Sequence, residues 1–70
     1  MTHDIETTFT YHPPTPDQVV QYTAIREAGK ELARVILANT PGCADQSAAI
    51  RKVREAVMTA NAAIATRGAA

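Results

Sequence analysis

Two patterns of regularly spaced apolar residues occupy most of the chain. In the first, apolar or small residues recur at Tyr22, Ile25, Gly29, Leu32 and Ile36. In the second, the same alternation of three and four positions recurs at Ile50, Val53, Val57, Ala60 and Ile64. This spacing places every member of a set on one face of an α-helix. The sequence therefore predicts two amphipathic helices, at about residues 16–38 and 44–66.

Helix-start and helix-stop signals bound the two patterns. Thr15, Pro16 and Gln18 match an N-cap, a first helical position and the partner of a capping box. Residues 39–43 contain a Pro-Gly pair and form the predicted turn. Two helices of similar length joined by so short a turn predict an antiparallel αα-hairpin. Gly29 weakens its helix by roughly 1 kcal/mol relative to alanine, which suggests the close approach of another backbone or of a ligand.

The N-terminal residues lack this periodicity. Residues 1–8 are polar, and we expect them to be flexible or weakly ordered. Residues 9–14 (FTYHPP) are expected to form an extended arm, because each proline favours extended geometry in the residue before it. The predicted fold class is all-α: an extended arm or short helix, then a coiled-coil-like antiparallel hairpin, in a single domain spanning residues 9–67.

The length and composition favour self-association. A 70-residue chain is short for burying a core by itself. Its one cysteine, Cys43, excludes an internal disulfide, and His3, His12 and Cys43 do not have the spacing of a metal site. We therefore predict a compact homo-oligomer without metal or other cofactor.

The charge balance narrows the classes of partner. Seven basic and seven acidic side chains give a net charge of zero, which argues against a general binder of nucleic-acid polymers. The sequence shows neither the apolar core of a signal peptide nor a run of about 18 apolar residues that would span a membrane. The expectation is a soluble cytosolic protein.

The arm and the first helix supply the first candidate binding residues. Tyr11, between stiff neighbours, suits stacking on a base, although it and Phe9 could instead fasten the arm to the hairpin. Arg26 lies beside the first apolar face and could contact a phosphate bidentately. Lys30, one turn further, is a second candidate, and the alternative is a solvated face on which Glu27 pairs with it.

The C-terminal end supplies a second group. Arg67 continues the second apolar pattern at a helix end, and several copies of it from different subunits would line an anion pocket. Asn61 lies at the edge of the same face, where its amide could bind a base edge or a partner backbone. His12 could donate to a phosphate or a base. No base is placed to activate Cys43, and no catalytic motif is found, so we predict that the protein is not an enzyme.

Several segments together resemble the small phage anti-CBASS protein 2 family. They are FTYHPP (residues 9–14), YTAIR (22–26), KELA (30–33), EAVM (55–58) and ANAAIA (60–65). The resemblance extends from residue 9 to about residue 67. Three positions depart from the family's pattern: Thr59 stands where a tryptophan is frequent, Cys43 replaces a serine cap, and Arg67 lies one position later than the usual arginine.

The resemblance implies a function that the composition does not. Members bind cyclic dinucleotides such as cyclic GMP–AMP, and many bind cyclic trinucleotides. They sequester these messengers without cleaving them, in the cytoplasm of the infected bacterium, and so block the host's CBASS immune effector. They form hexamers with ligand pockets between subunits.

The site residues implied by the resemblance fall into two groups. Tyr11 would stack on the dinucleotide and Arg26 would contact its phosphates, with His12 and Lys30 as further candidates. Arg67, with Asn61, would serve the trinucleotide pocket. Two alternatives stay open: a structural or protein-interaction hairpin such as a phage adaptor, and a related sponge for a cyclic ADP-ribose isomer.

Overall fold

The computed structural model describes residues 4–67, and every regular element within them is an α-helix. A short helix, α1 (Ile5–Phe9), precedes two long ones, α2 (Pro16–Asn39) and α3 (Ala44–Thr66). The long helices pack against each other as a hairpin, which confirms the predicted helical hairpin. His3, considered above as a possible metal ligand, lies outside the described residues.

Helix α1 falls almost wholly within residues 1–8, which were expected to be flexible or weakly ordered, although the predicted fold class allowed a short helix ahead of the hairpin. Asp4 is the N-cap: its Oδ1 accepts a hydrogen bond from Thr7 N at 3.1 Å. Its carboxylate also accepts from the Thr7 hydroxyl, and these bonds lower the pKa of Asp4. Capping of this kind depends on one side chain rather than on apolar periodicity, which is why the pattern did not indicate the helix. The extended backbone consequently starts at Thr10, not at Phe9.

The start of α2 has the predicted capping box. Gln18 N donates to Thr15 Oγ1 at 3.2 Å, and Thr15 N donates to Gln18 Oε1 at 3.0 Å. Pro16 occupies the first turn, where its missing N–H removes no helical hydrogen bond. Two of the donors left free at a helix N-terminus are thereby satisfied.

Gln18 also ties α2 to the end of α3. Its Nε2 donates to the carbonyl oxygen of Ile64 at 3.0 Å, across 46 positions of sequence. It is the one buried residue among those described, with 8% of its surface exposed. One side chain thus caps α2 and joins it to α3 at the end of the hairpin opposite the turn, which we call the open end.

Gly29 is a point of close contact between the two long helices. A Cβ placed on it would lie 2.6 Å from Cγ2 of Val57 and 3.8 Å from Cγ1 of Val53. The close approach predicted from the glycine is therefore made by valine side chains of α3. No larger residue fits there unless the helices move apart.

The turn is held by polar contacts. Gln46 Nε2 donates to both the carbonyl and the hydroxyl oxygen of Thr40, at 3.1 Å each. Thr40 Oγ1 in turn donates to the carbonyl of Ile36 at 2.6 Å. Cys43 is the N-cap residue of α3, but its side chain makes no capping bond and is exposed. It fills the cap position without packing against the hairpin.

The hairpin has no closed core of its own. No apolar side chain among residues 4–67 is fully buried, and the facing residues of the two helices are only half-buried. The Cα radius of gyration is 14.7 Å, whereas a compact chain of this length would have about 11 Å. The protomer is a single layer of two helices with apolar residues exposed on both sides.

Candidate functional site

Tyr11 projects from the segment between α1 and α2 and does not cover the hairpin. The exposed fraction is 80% for Tyr11 and 80% for Phe9. The structure therefore does not have the alternative arrangement, in which the rings of Phe9 and Tyr11 pack on the hairpin and fasten the arm to it. Pro13 and Pro14 stiffen the backbone that follows, so an exposed ring is presented on a segment with few accessible conformations.

His12 points the other way, into the molecule. It is half-buried, and its Nε2 lies 2.7 Å from the carbonyl oxygen of Thr7. Because a carbonyl only accepts, Nε2 carries the proton in this bond. The ring fixes the angle between α1 and the segment that follows. It also lines a pocket of about 410 Å³ at the open end of the hairpin, together with Pro13, Gln18, Ala65, Thr66 and Arg67.

Arg67 reaches this pocket from the C-terminal cap of α3. Its backbone is left-handed, with φ of 53°, and its N–H donates to the carbonyl of Ile64 at 3.2 Å. The left-handed turn ends the helix and directs the residue back toward the open end. His12 was predicted to act together with Tyr11, but in the structure it lines the same pocket as Arg67.

Asn61 lies one helical turn before Ile64, whose carbonyl binds Gln18. The residue is half-buried, and its Oδ1 is buried without a hydrogen-bond donor among the described residues. An unsatisfied buried acceptor costs about 1–3 kcal/mol, so this oxygen favours any contact that brings it a donor. The position is compatible with both predicted uses, a bond to a ligand and a bond to a partner.

A basic groove runs between the long helices on one side of the hairpin. Three cations line it: Arg26 and Lys30 from α2, and Arg54 from α3. Its floor is apolar, its volume is about 250 Å³, and none of its lining residues is acidic. The remaining lining residues are Gly29, Ala33, Ile50, Val53, Val57 and Met58.

The basic residues of α2 differ in whether they form an ion pair. Lys30 Nζ lies 3.7 Å from Glu27, as the alternative interpretation of this residue predicted, and Arg34 lies 3.5 Å from Glu31. All four side chains are more than half exposed, so neither pair contributes much stability. Within residues 4–67, Arg26 forms no ion pair, which leaves its guanidinium available to an anion.

The opposite side of the hairpin carries a groove of different chemistry. It measures about 510 Å³ and is lined almost wholly by apolar atoms, with Lys52 as its one charged residue. Its lining includes Ile25, Ala28, Leu32, Ala56 and Ala60. Both grooves have an apolar surface, and they differ in the basic residues among their lining: three on one side and one on the other.

Sequence reasoning missed Arg54 and the second role of Gln18. Arg54 follows Val53 on the second apolar face as Arg26 follows Ile25 on the first. Since the two faces oppose each other in a hairpin, this shared offset could have placed both arginines at one groove. No sequence pattern indicated the bond from Gln18 to Ile64, because the spacing of a capping box does not show whether its glutamine also bonds to another helix.

The described residues contain neither a metal-binding cluster nor a membrane-spanning helix. No three His, Cys, Asp or Glu side chains of residues 4–67 come together as metal ligands would. In the same range, no helix combines the length and the apolar character needed to span a bilayer.

Comparison with known proteins identifies the domain. The family model described as Acb2/Tad1, hairpin domain, matches residues 1–65, which is nearly the whole chain. No curated protein and no solved structure is a significant match. The matched region contains α1, α2 and most of α3, and so includes both candidate sites apart from Arg67.

Proposed function

The chain belongs to the Acb2/Tad1 hairpin-domain family, and from this premise we propose that it binds and sequesters cyclic dinucleotides such as cyclic GMP–AMP without cleaving them. The match supports a place in the anti-CBASS sponge family in general. In the proposed role, the protein withdraws the messenger in the cytoplasm of the infected bacterium. The host immune effector then lacks its activator.

The observation that carries the proposal is the exposure of Tyr11. An aromatic ring that is 80% exposed on a segment stiffened by prolines adds little apolar burial to its own protomer. Stacking on a base would bury one face of the ring, and base stacking on an aromatic side chain contributes about 1–3 kcal/mol. A ligand with two bases fits two such rings related by symmetry.

Arg26 supplies the complementary group. Its guanidinium borders a groove without acidic residues and forms no ion pair within the described chain. Arginine binds phosphate through two parallel hydrogen bonds, so the charge and the geometry both suit a phosphodiester. Arg26 borders one of the three cavities described above and Tyr11 lines none of them, and we therefore assign the two halves of each dinucleotide site to neighbouring subunits.

Self-association is part of the proposal. The protomer exposes large apolar side chains on both long helices, including Val20, Leu32, Leu37 and Met58, each at least 51% exposed. Without a fully buried apolar residue among residues 4–67, the hairpin gains most of its apolar burial from other copies. We propose a homohexamer, in line with the family resemblance. No nucleic-acid polymer and no membrane is required.

A second pocket follows from the open end of the hairpin. There Arg67 and His12 line one cavity, and Asn61 presents an unsatisfied oxygen nearby on α3. Arginines from several subunits gathered at this end would bind a ligand with several phosphates. We propose cyclic trinucleotides as the ligand of this pocket.

Extraction of the bound ligand tests the proposal without assuming its identity. The protein is purified from cells that produce cyclic dinucleotides, denatured, and its small molecules are identified by mass spectrometry. The expected result is an intact cyclic dinucleotide in a fixed ratio to the protein. A linear product would contradict binding without cleavage. An extract with no nucleotide would favour a structural hairpin, and a cyclic ADP-ribose isomer would move the specificity to that class.

A further inference from the structure

We infer that Arg54 is a phosphate-binding residue of the dinucleotide site, acting from α3 across the groove from Arg26. This inference rests on the proposed function and adds a residue to it. In this arrangement the ligand's phosphate lies between two guanidiniums, one from each helix of the hairpin.

The first argument is position. Arg26 and Arg54 line the same groove of about 250 Å³, one from each wall. The floor between them consists of Gly29 and of valines on α3. Because Gly29 has no side chain, Val57 and Val53 pack directly against it, and the floor at that point is apolar.

The second argument is charge. The chain as a whole has equal numbers of acidic and basic residues, yet this groove has three basic lining residues and no acidic one. Lys30 has a carboxylate partner in Glu27, at 3.7 Å. Neither Arg26 nor Arg54 forms an ion pair within residues 4–67. Two guanidiniums that border one groove without carboxylate partners favour the binding of an anion there.

The third argument is the chemistry of the ligand. Each phosphodiester carries one negative charge and two unesterified oxygens that accept hydrogen bonds. Two arginines can therefore bind one phosphate from opposite sides. The apolar floor, with Met58 at its edge, would contact the sugar and base edges without competing for the phosphate.

Arg51 provides a matched control for the experiment. It lies one turn before Arg54 on α3, is exposed, and forms no ion pair within the described range. It lines none of the three cavities described above. R51Q and R54Q thus remove the same charge from the same helix, and only R54Q removes it from the groove.

Calorimetric titration with cyclic GMP–AMP compares wild type, R54Q, R54K and R51Q. We expect R54Q to weaken binding about tenfold or more, since hydrogen bonds to charged groups contribute that much. R51Q should remain within about twofold of wild type, and R54K should lie between, because lysine keeps the charge but not the paired donors. Thermal melting checks that the variants fold equally well.

Each result decides a different point. Equal affinities for R54Q and R51Q, with wild type binding normally, would overturn the assignment of Arg54 alone. No binding by wild type would overturn the proposed function and the assignment together. A further titration of the R26Q/R54Q double variant is expected to show non-additive losses, because both residues contact one ligand. Strict additivity would contradict a shared phosphate.

Discussion

The hairpin and the N-terminal segment, residues 4–14, are held in different ways. In the hairpin, contacts join residues far apart in sequence, such as Gly29 with Val57 and Gln18 with Ile64. In the N-terminal segment, the hydrogen bonds join residues at most five positions apart. The hairpin thus fixes its own geometry, whereas the N-terminal segment fixes its backbone locally and leaves its aromatic rings exposed.

This difference separates stability from binding. Substitutions of the residues that join the two long helices should change the free energy of unfolding, and substitutions of exposed rings in the N-terminal segment should change affinity alone. Because the proposed assembly would couple folding to self-association, protomer concentrations must be equal in every comparison.

The largest expected effect on the hairpin is that of Gln18→Ala. This change removes the bond to the Ile64 carbonyl and one half of the capping box. We expect the free energy of unfolding to fall by about 2 kcal/mol, measured by thermal melting followed by circular dichroism. Gln21→Ala, at an exposed position of the same helix, is the control and should melt like wild type. Equal melting of the two variants would contradict the role of Gln18.

A smaller effect is expected for Gly29→Ala. The new methyl would lie 2.6 Å from Cγ2 of Val57, and a valine on a helix has little freedom to turn away. The overpacking destabilises the protein by about 1–3 kcal/mol, and the better helix propensity of alanine stabilises it by about 1 kcal/mol. We therefore expect the free energy of unfolding to fall by about 1 kcal/mol.

Two companion variants sharpen that measurement. Gly42→Ala places its methyl in open space, so it should be close to neutral. Combining Gly29→Ala with Val57→Ala makes room for the methyl, and the double variant should be more stable than the sum of the single changes predicts. A Gly29→Ala protein more stable than wild type would show that the helices can separate at no cost.

The hairpin was more predictable than the sites because its signals are periodic or local. The two apolar patterns, the capping box and the Pro-Gly turn gave the order of the helices and their antiparallel arrangement. Helix α1 was missed because it depends on the single cap Asp4. The grouping of His12 with Arg67 depends on how α1, the arm and the end of α3 meet, and no local pattern encodes that meeting.

The smallest expected effect is confined to α1 and depends on pH. Hydrogen bonds from Thr7 lower the pKa of Asp4, so the cap stabilises α1 above the ordinary pKa of a carboxyl group. That contribution is lost as the pH falls through the lowered pKa. In an NMR titration, the Thr7 amide should therefore shift in acid while the amides of α3 do not follow the same curve.

Asp4→Asn is the matched control for this titration. Asparagine can cap α1 but does not ionise in this range, so the shift at Thr7 should disappear while the helix remains. A common titration curve for Thr7 and the hairpin would show that α1 and the hairpin unfold as one unit. It would contradict the conclusion that the N-terminal segment and the hairpin are held in different ways.

Calorimetric titration of Tyr11→Ala with cyclic GMP–AMP tests the central claim most directly. Loss of a stacking ring from each symmetric half of the site is expected to weaken binding about 100-fold or more, and Tyr11→Phe, which keeps the ring, should bind nearly as wild type does. Melting and sedimentation of Tyr11→Ala should equal those of wild type, since the ring is 80% exposed. Unchanged affinity in Tyr11→Ala, or a hairpin that no longer folds or assembles, would contradict the account.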